Sequence, residues 1–289
     1  MFVSSLIEGI VIGSLYALMA LGSSLVYGLL RILDIANVAG LVLAAYVGQD
    51  VFSGTHSLPL ALLAGIGSAS TLGFLLQRLL YRSLLGRSPI VPLIASVGVF
   101  IAFEELFRLI FGPYELNFPA SVGLPSFHLG GTLVTGVELL IILVGCTVLV
   151  ATWAFIRYTR IGLTWRAVAQ DRQTSAAMGI RTNLVMGVVF VVGYGLAAVA
   201  GILLAINYNS ITPTMGDIPA YKVLAIIVLG GLGSPLGTIA ASMLIGLSET
   251  FVAAYWGFVL PRDSIAFILL IAVLLLRPQG LIPGEPVRA

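Results

Sequence analysis

GIVIGSLYALMALGSSLVYGLL, residues 9–30, runs for twenty-two positions without a charged side chain. At about 1.5 Å of rise per residue it makes a helix of roughly 33 Å, enough to cross a hydrocarbon core of about 30 Å. The run outlasts the apolar core of a cleaved leader and no basic segment precedes it, so a first membrane span is expected. Comparable runs recur along the chain. Their spacing predicts helices near 5–29, 36–53, 58–78, 89–111, 133–156, 184–206, 219–232, 237–257 and 264–277.

Composition points the same way. Hydrophobic residues make up 59% of the 289 and charged residues only 9%, against about 25% charged in an ordinary soluble domain. The gaps between apolar runs are mostly shorter than about twenty residues, too short for a separate soluble domain of about 50 residues or more. The expected fold is all-α, a polytopic transmembrane helical bundle of about 8–9 spans that forms one domain over residues 1–289. Segments 36–53 and 219–232 are short and interrupted by glycine. They are the candidates for broken or re-entrant helices, which often line a transport path.

The placement of arginine sets the expected orientation. Arg31, then Arg78, Arg82 and Arg87, then Arg157, Arg160, Arg166, Arg172 and Arg181, and finally Arg277 and Arg288 fall in alternate gaps, whereas the loop 112–132 has none. An outside N-terminus, an inside C-terminus, nine crossings and a cytoplasmic loop at 157–183 satisfy this pattern. The net charge of +2 gives no reason to expect a nucleic-acid partner. Cys146 is the only cysteine, which excludes an internal disulfide and argues against a cysteine metal site.

Gly9, Gly13 and Ala17 repeat every four residues, as do Gly193, Ala197 and Gly201. Such stripes let helix backbones approach closely.

Motifs for chemistry are few. Lys222, the sole lysine, follows Pro-Ala-Tyr rather than a glycine-rich loop, so ATP binding of the P-loop kind is not expected in this chain. GGLGSPLG at 230–237 reads as a tight turn. His56 and His128 fall in expected outer loops without metal-ligand spacing, and the serines of GIGSAS at 65–70 have no histidine within a span to activate them. No catalytic residue and no metal are therefore expected, and the chain is not read as an enzyme. Glu104 and Glu105 have Arg108 at i+4 and i+3, which predicts a local ion pair. Glu249 lies near the middle of its span with Ile245 and Ala253 at i−4 and i+4. It must find a partner on another helix, stay protonated, or face a polar path. Candidate pathway residues are Asn37, Tyr46, Gln49, Asn207, Asn209 and Glu249, polar groups on or beside the short or central segments.

The loop RYTRIGLTWRAVAQDRQTSAAMGIR, residues 157–181, reads differently from a mere charged connector. From Leu163 to Met178 it has no proline or glycine and is rich in helix formers, which predicts a helix of about sixteen residues with Gly179 as its C-terminal stop. Arg166, Asp171 and Arg172 supply charge, and Leu163, Ala167, Val168, Ala176 and Met178 supply small apolar surface suited to a partner's groove. Fixing topology needs charge but not an ordered helix.

Within this loop G-x-x-x-R-A, completed by A-x-x-G-I (Gly162, Arg166, Ala167, Ala176, Gly179, Ile180), resembles the cytoplasmic loop of permeases of branched-chain amino acid ABC importers, the LivH/LivM-like group. GSLYALMALGSSLVYGLLRI at 13–32, ITPTMG at 211–216, VLGGLGSPLGTIAASMLIGLSE at 228–249 and LLRPQGL at 275–281 are similar to segments of that family in the same order. The resemblance implies a transport subunit of a bacterial cytoplasmic (inner) membrane that pairs with a second permease subunit and couples to two cytoplasmic ATPases. It implies that those ATPases bind ATP and Mg, with no cofactor held by this chain, and that an external substrate-binding protein delivers the solute. The coupling helix then lies within 162–181, with Gly162, Arg166, Ala167, Asp171, Arg172, Ala176, Gly179 and Ile180 at the ATPase interface. Where the family's second span commonly begins N-F-A-H-G-E, this chain has Asp34-Ile35-Ala36-Asn37-Val38-Ala39. Some members of the group resemble carriers of urea, short amides or aromatic acids, so these solutes stand beside branched-chain and other hydrophobic amino acids. A stand-alone secondary transporter or channel is the alternative from outside the family.

Overall fold

The computed structural model describes residues 2–118, 126–129, 132–257, 261 and 263–282. Among these, apolar runs long enough to span a bilayer become helices, because in hydrocarbon only a helix satisfies its own backbone donors and acceptors. The helices are α1 (Phe2–Leu30), α2 (Asn37–Thr55), α3 (Leu58–Leu84), α4 (Ile90–Phe111), α5 (Gly136–Tyr158), α6 (Arg160–Gln170), α7 (Arg172–Ala177), α8 (Thr182–Tyr208), α9 (Asp217–Gly230), α10 (Pro235–Trp256) and α11 (Ser264–Leu276). Eight are long and apolar enough to cross a membrane when α9 is taken with the 3₁₀ turn Pro213–Gly216 that leads into it. The last, α11, has 13 residues. The all-α polytopic bundle expected from the sequence is the fold observed. Two short antiparallel pairs join loops: β1 (Leu116–Asn117) with β4 (Ser210–Ile211), and β2 (Phe127–Leu129) with β3 (Thr132–Val134). Arg288 lies outside the described residues.

The small-residue stripes do what their spacing predicts. Gly9 and Gly13 of α1 face Leu247 and Met243 of α10, and a Cβ placed on Gly246 would lie 2.5 Å from the Gly13 backbone nitrogen. On α8, Gly193 meets Gly22 of α1 and Gly201 meets Leu41 of α2; a Cβ at Gly201 would sit 2.2 Å from the Leu41 carbonyl oxygen. Backbone thus packs on backbone along both stripes, where dispersion and not the hydrophobic effect holds helices together. The core lies along α1 and α8, with α2, α3 and α10 around them.

The two segments expected to be broken are continuous. α2 runs through Gly40 and Gly48 without interruption, and the irregular backbone lies just before it. Arg31 takes a left-handed φ of 57°, and residues 32–36 then run back along α1. The Ser23 hydroxyl donates to the Asp34 carbonyl oxygen (3.3 Å) and Asn37 Nδ2 donates to Ser23 Oγ (2.9 Å). Ser23 is seven residues before the end of α1, so α2 starts about 10 Å back from that end. The segment 219–232 likewise contains one unbroken helix, α9, with its irregularities at either end.

GGLGSPLG is a turn, as its composition suggested. Gly231 and Gly233 have φ of 105° and 79°, a region that side chains rarely enter. Ser234 then caps α10 by accepting from the Gly237 amide. The C-terminal segment LLRPQGL folds onto this turn through Leu281 N to Leu229 O (2.9 Å) and Ile282 N to Gly230 O (3.1 Å). One feature was not foreseen: α3 widens into a π turn at Gln77–Tyr81.

Candidate functional site

The loop 157–181 folds as a helical hairpin rather than as one helix. α6 begins where Thr159 accepts from the Gly162 amide, and it ends at Asp171, which is extended at φ −150°. Asp171 is the N-cap of α7: its Oδ1 accepts from the amides of Gln173 (2.8 Å) and Thr174 (3.1 Å), and its Oδ2 accepts from the Thr174 hydroxyl. Those bonds, with the Thr174 hydroxyl foremost, hold the Asp171 carboxyl below its ordinary pKa. The expectation of an unbroken sixteen-residue helix is corrected for this reason. An aspartate followed by Arg-Gln-Thr satisfies the orphan amides of a new helix better than it continues an old one. Gly179 is the stop that its position predicted, with a φ of 84°. Ile180 N donates to Ser175 O and Gly179 N to Ala176 O, the paired bonds of a left-handed C-terminal cap.

One face of the hairpin is anchored. Gly162, Trp165, Val168 and Ser175 are buried. At Gly162 a Cβ would meet the Ile156 carbonyl oxygen at 2.2 Å, and the Trp165 ring lies under Gly28 of α1. Val168, assigned from sequence to a partner-facing surface, is 3% exposed and belongs to this anchor. Its spacing of three from Trp165 places both on one helix face. The opposite face carries Arg160, Leu163, Arg166, Asp171, Arg172, Ala176 and Met178, all exposed, with Ala167 and Ile180 half-buried. Arg166 reaches the Arg157 carbonyl oxygen at 3.4 Å. Of the eight interface candidates, Gly162 alone is fully buried in its own chain.

The six pathway candidates have separate surroundings. Asn37 is buried at the start of α2 against Ser23. Tyr46 is buried too, its ring stacked on Phe111 of α4 at 4.1 Å. Gln49 and Asn207 are half-buried. Asn209 is exposed, ends α8 in the left-handed region and accepts from the Phe118 amide. Glu249, 0% exposed, does find its partner on another helix: Lys222 Nζ of α9 donates to its Oε2 at 2.9 Å, and the Tyr16 hydroxyl of α1 donates to the same oxygen at 2.9 Å. Lys222 also donates to Tyr16 OH (2.6 Å) and pairs with Asp263 Oδ1 (2.8 Å), just ahead of α11. Glu104 and Glu105 pair with Arg108 at 3.1 and 2.7 Å, as their spacing predicted.

The sequence reading named Glu249 but not its partner Lys222, and it missed a second polar centre. The ion-pair centre at Lys222 had a legible signal, a single lysine within an apolar helix, which in a membrane is costly unless it is paired. The second centre is Asp34, 1% exposed, which accepts from the hydroxyls of Tyr81 (2.5 Å) and Tyr194 (3.5 Å). Tyr81 ends the π turn of α3, so the irregular turn and the buried carboxylate are parts of one arrangement. No pattern within 77–81 announces it.

The family model described as "Branched-chain amino acid transport system / permease component" matches residues 5–276. Over 298 residues the chain is 31% identical to the high-affinity branched-chain amino acid transport system permease protein BraD of Pseudomonas aeruginosa, covering 99% of this chain and 96% of that protein. It is 30% identical over 304 residues to the corresponding permease protein LivH of Escherichia coli K12, again with 99% and 96% coverage. A probable branched-chain amino acid transport permease protein LivH of Methanocaldococcus jannaschii is 25% identical over 293 residues, 96% of this chain and 91% of that one. No solved structure matches.

Proposed function

Because this multi-pass membrane chain belongs to the family of permease components of branched-chain amino acid transport systems, we propose that it is one transmembrane subunit of a binding-protein-dependent ABC importer. It moves branched-chain or other hydrophobic amino acids inward, together with a second permease subunit. ATP and Mg are bound by two cytoplasmic ATPase subunits, and an external binding protein delivers the solute. The N-terminus is outside and the C-terminus inside, and residues 1–289 act as one domain.

The observation that carries this reading is the hairpin α6–α7. Its Trp165 and Val168 face is fixed to the bundle while Arg166, Arg172, Ala176 and Met178 stay exposed. A rigid, one-sided element of this kind can pass a push from an ATPase groove to α1, α5 and α8, on which it rests. Co-purification from native membranes tests the assembly: the expected complex contains a second permease and two ATPase subunits. Reconstituted into liposomes, that complex should accumulate leucine only with ATP and the external binding protein. Transport by this chain alone, without ATP, would establish the stand-alone alternative instead.

A further inference from the structure

Lys222 is 2% exposed and is bound on three sides, by Glu249 (0% exposed), by the hydroxyl of Tyr16 and by Asp263, whose side chain is 42% exposed. Its ammonium also lies 4.9 Å from the centre of the Tyr16 ring. The three ligands are therefore unequal. The Glu249 and Tyr16 arms are sealed among α1, α9 and α10, whereas the Asp263 arm ends in an accessible carboxylate. Losing the first arm would strand a buried charge; exchanging the second for another carboxylate would leave the charge count around Lys222 unchanged.

An ion pair open at one end is complementary to a zwitterion. We infer that the Lys222–Asp263 pair is a recognition site for zwitterionic amino acids: the solute's carboxylate replaces Asp263 on Lys222 Nζ, and its ammonium is accepted by the released Asp263 carboxylate. Neither charge is then left unmatched, whereas a solute with a carboxylate alone leaves the displaced Asp263 without a counter-ion, and one with an ammonium alone leaves Lys222 with Glu249 as its remaining carboxylate. The site selects for the shared amino-acid head group and is indifferent to the side chain. Asp263 immediately precedes α11, so occupation also exchanges the polar tie between α9 and the start of that helix. This inference rests on the importer reading and assigns residues of this chain to the recognition of the solute that reading names.

The test is equilibrium binding to the intact complex in lipid nanodiscs without the external binding protein. The probes are L-leucine, isovalerate (carboxylate only) and isopentylamine (ammonium only). Expected for the unmodified complex is a preference for leucine of about tenfold or more over isovalerate, the scale of leaving a polar group unpaired, and a smaller preference over isopentylamine, which leaves Lys222 on Glu249. Asp263→Asn removes both the resident competitor and the ammonium acceptor, so isovalerate should bind more tightly and the leucine preference over it should vanish. Asp263→Glu should keep that preference. If Asp263→Asn leaves the ratio unchanged, or weakens all three probes together with a lower melting temperature, Asp263 only ties α11 down and the inference is overturned. ATP-dependent leucine uptake by the unmodified complex with its binding protein, measured alongside, separates this failure from failure of the importer reading.

Discussion

α1 and α4 are alike in hydropathy, 1.8 and 2.0 over their most apolar windows, yet 94% of that window is buried in α1 and only 22% in α4. In water the more apolar helix would be the inner one. In lipid that ordering has no driving force, because hydrocarbon chains are as apolar as leucine. What separates the two helices is their small and polar side chains. α1 carries Gly9, Gly13 and Gly22 against neighbouring backbones and Tyr16 on the Lys222 centre, while Gly98 of α4 faces open space. Placement inside the bundle follows close approach and polar pairing, not hydrophobicity.

The largest expected effect breaks the polar half of that contrast. Lys222→Met takes the ammonium away from both Glu249 and Asp263 and should cost about 3–5 kcal/mol, read as loss of monodisperse protein by fluorescence-detected gel filtration. Adding Glu249→Leu should recover most of the loss; if the double variant is no better than the single one, the pair is not what Lys222 contributes.

Next comes the backbone contact. Gly22→Ala places a Cβ 2.4 Å from the Gly193 carbonyl oxygen and should destabilise by about 1–3 kcal/mol. Gly98→Ala, with nothing within 4 Å of the new carbon, should be neutral or slightly stabilising as a better helix former. Equal melting temperatures for the two variants would break the comparison.

The smallest effect is local. Asp171→Ala should speed hydrogen exchange at the amides of Gln173 and Thr174 and leave the bundle intact. Because the Asp171 pKa is lowered in the folded hairpin, its contribution is present above the ordinary carboxylate range and is lost as pH falls through the depressed value. Protection of those two amides should follow that course, and protection independent of pH would mean that the cap is not ionic.

Much of this architecture was legible in the sequence. Span positions, the glycine stripes, the Glu104–Arg108 pairing and the Gly179 stop all depend on neighbours within a few residues. The break at Asp171 was legible too, since an aspartate ahead of Arg-Gln-Thr is a capping signal, but attention to missing Pro and Gly hid it. Other features depend on contacts distant in sequence. The return of residues 32–36 along α1 rests on Ser23, the π turn accompanies the meeting of Tyr81 with Asp34, and Lys222 draws together α1, α9, α10 and Asp263. Periodicity carries no record of such meetings. Val168 shows the intermediate case: its residue type suits either a partner's groove or its own bundle, and only the Trp165 spacing distinguishes them.

The central claim is that the exposed face of α6–α7 receives the ATPases, and leucine-stimulated ATP hydrolysis by the reconstituted complex tests it most directly. With Arg166→Glu and Arg172→Glu combined, both on exposed positions away from the Trp165 anchor, the chain should insert and melt as before while stimulation falls by about tenfold or more, the size of a lost charge-paired contact. Full stimulation in that variant, with normal assembly, would contradict the claim and leave the arginines as markers of membrane orientation alone.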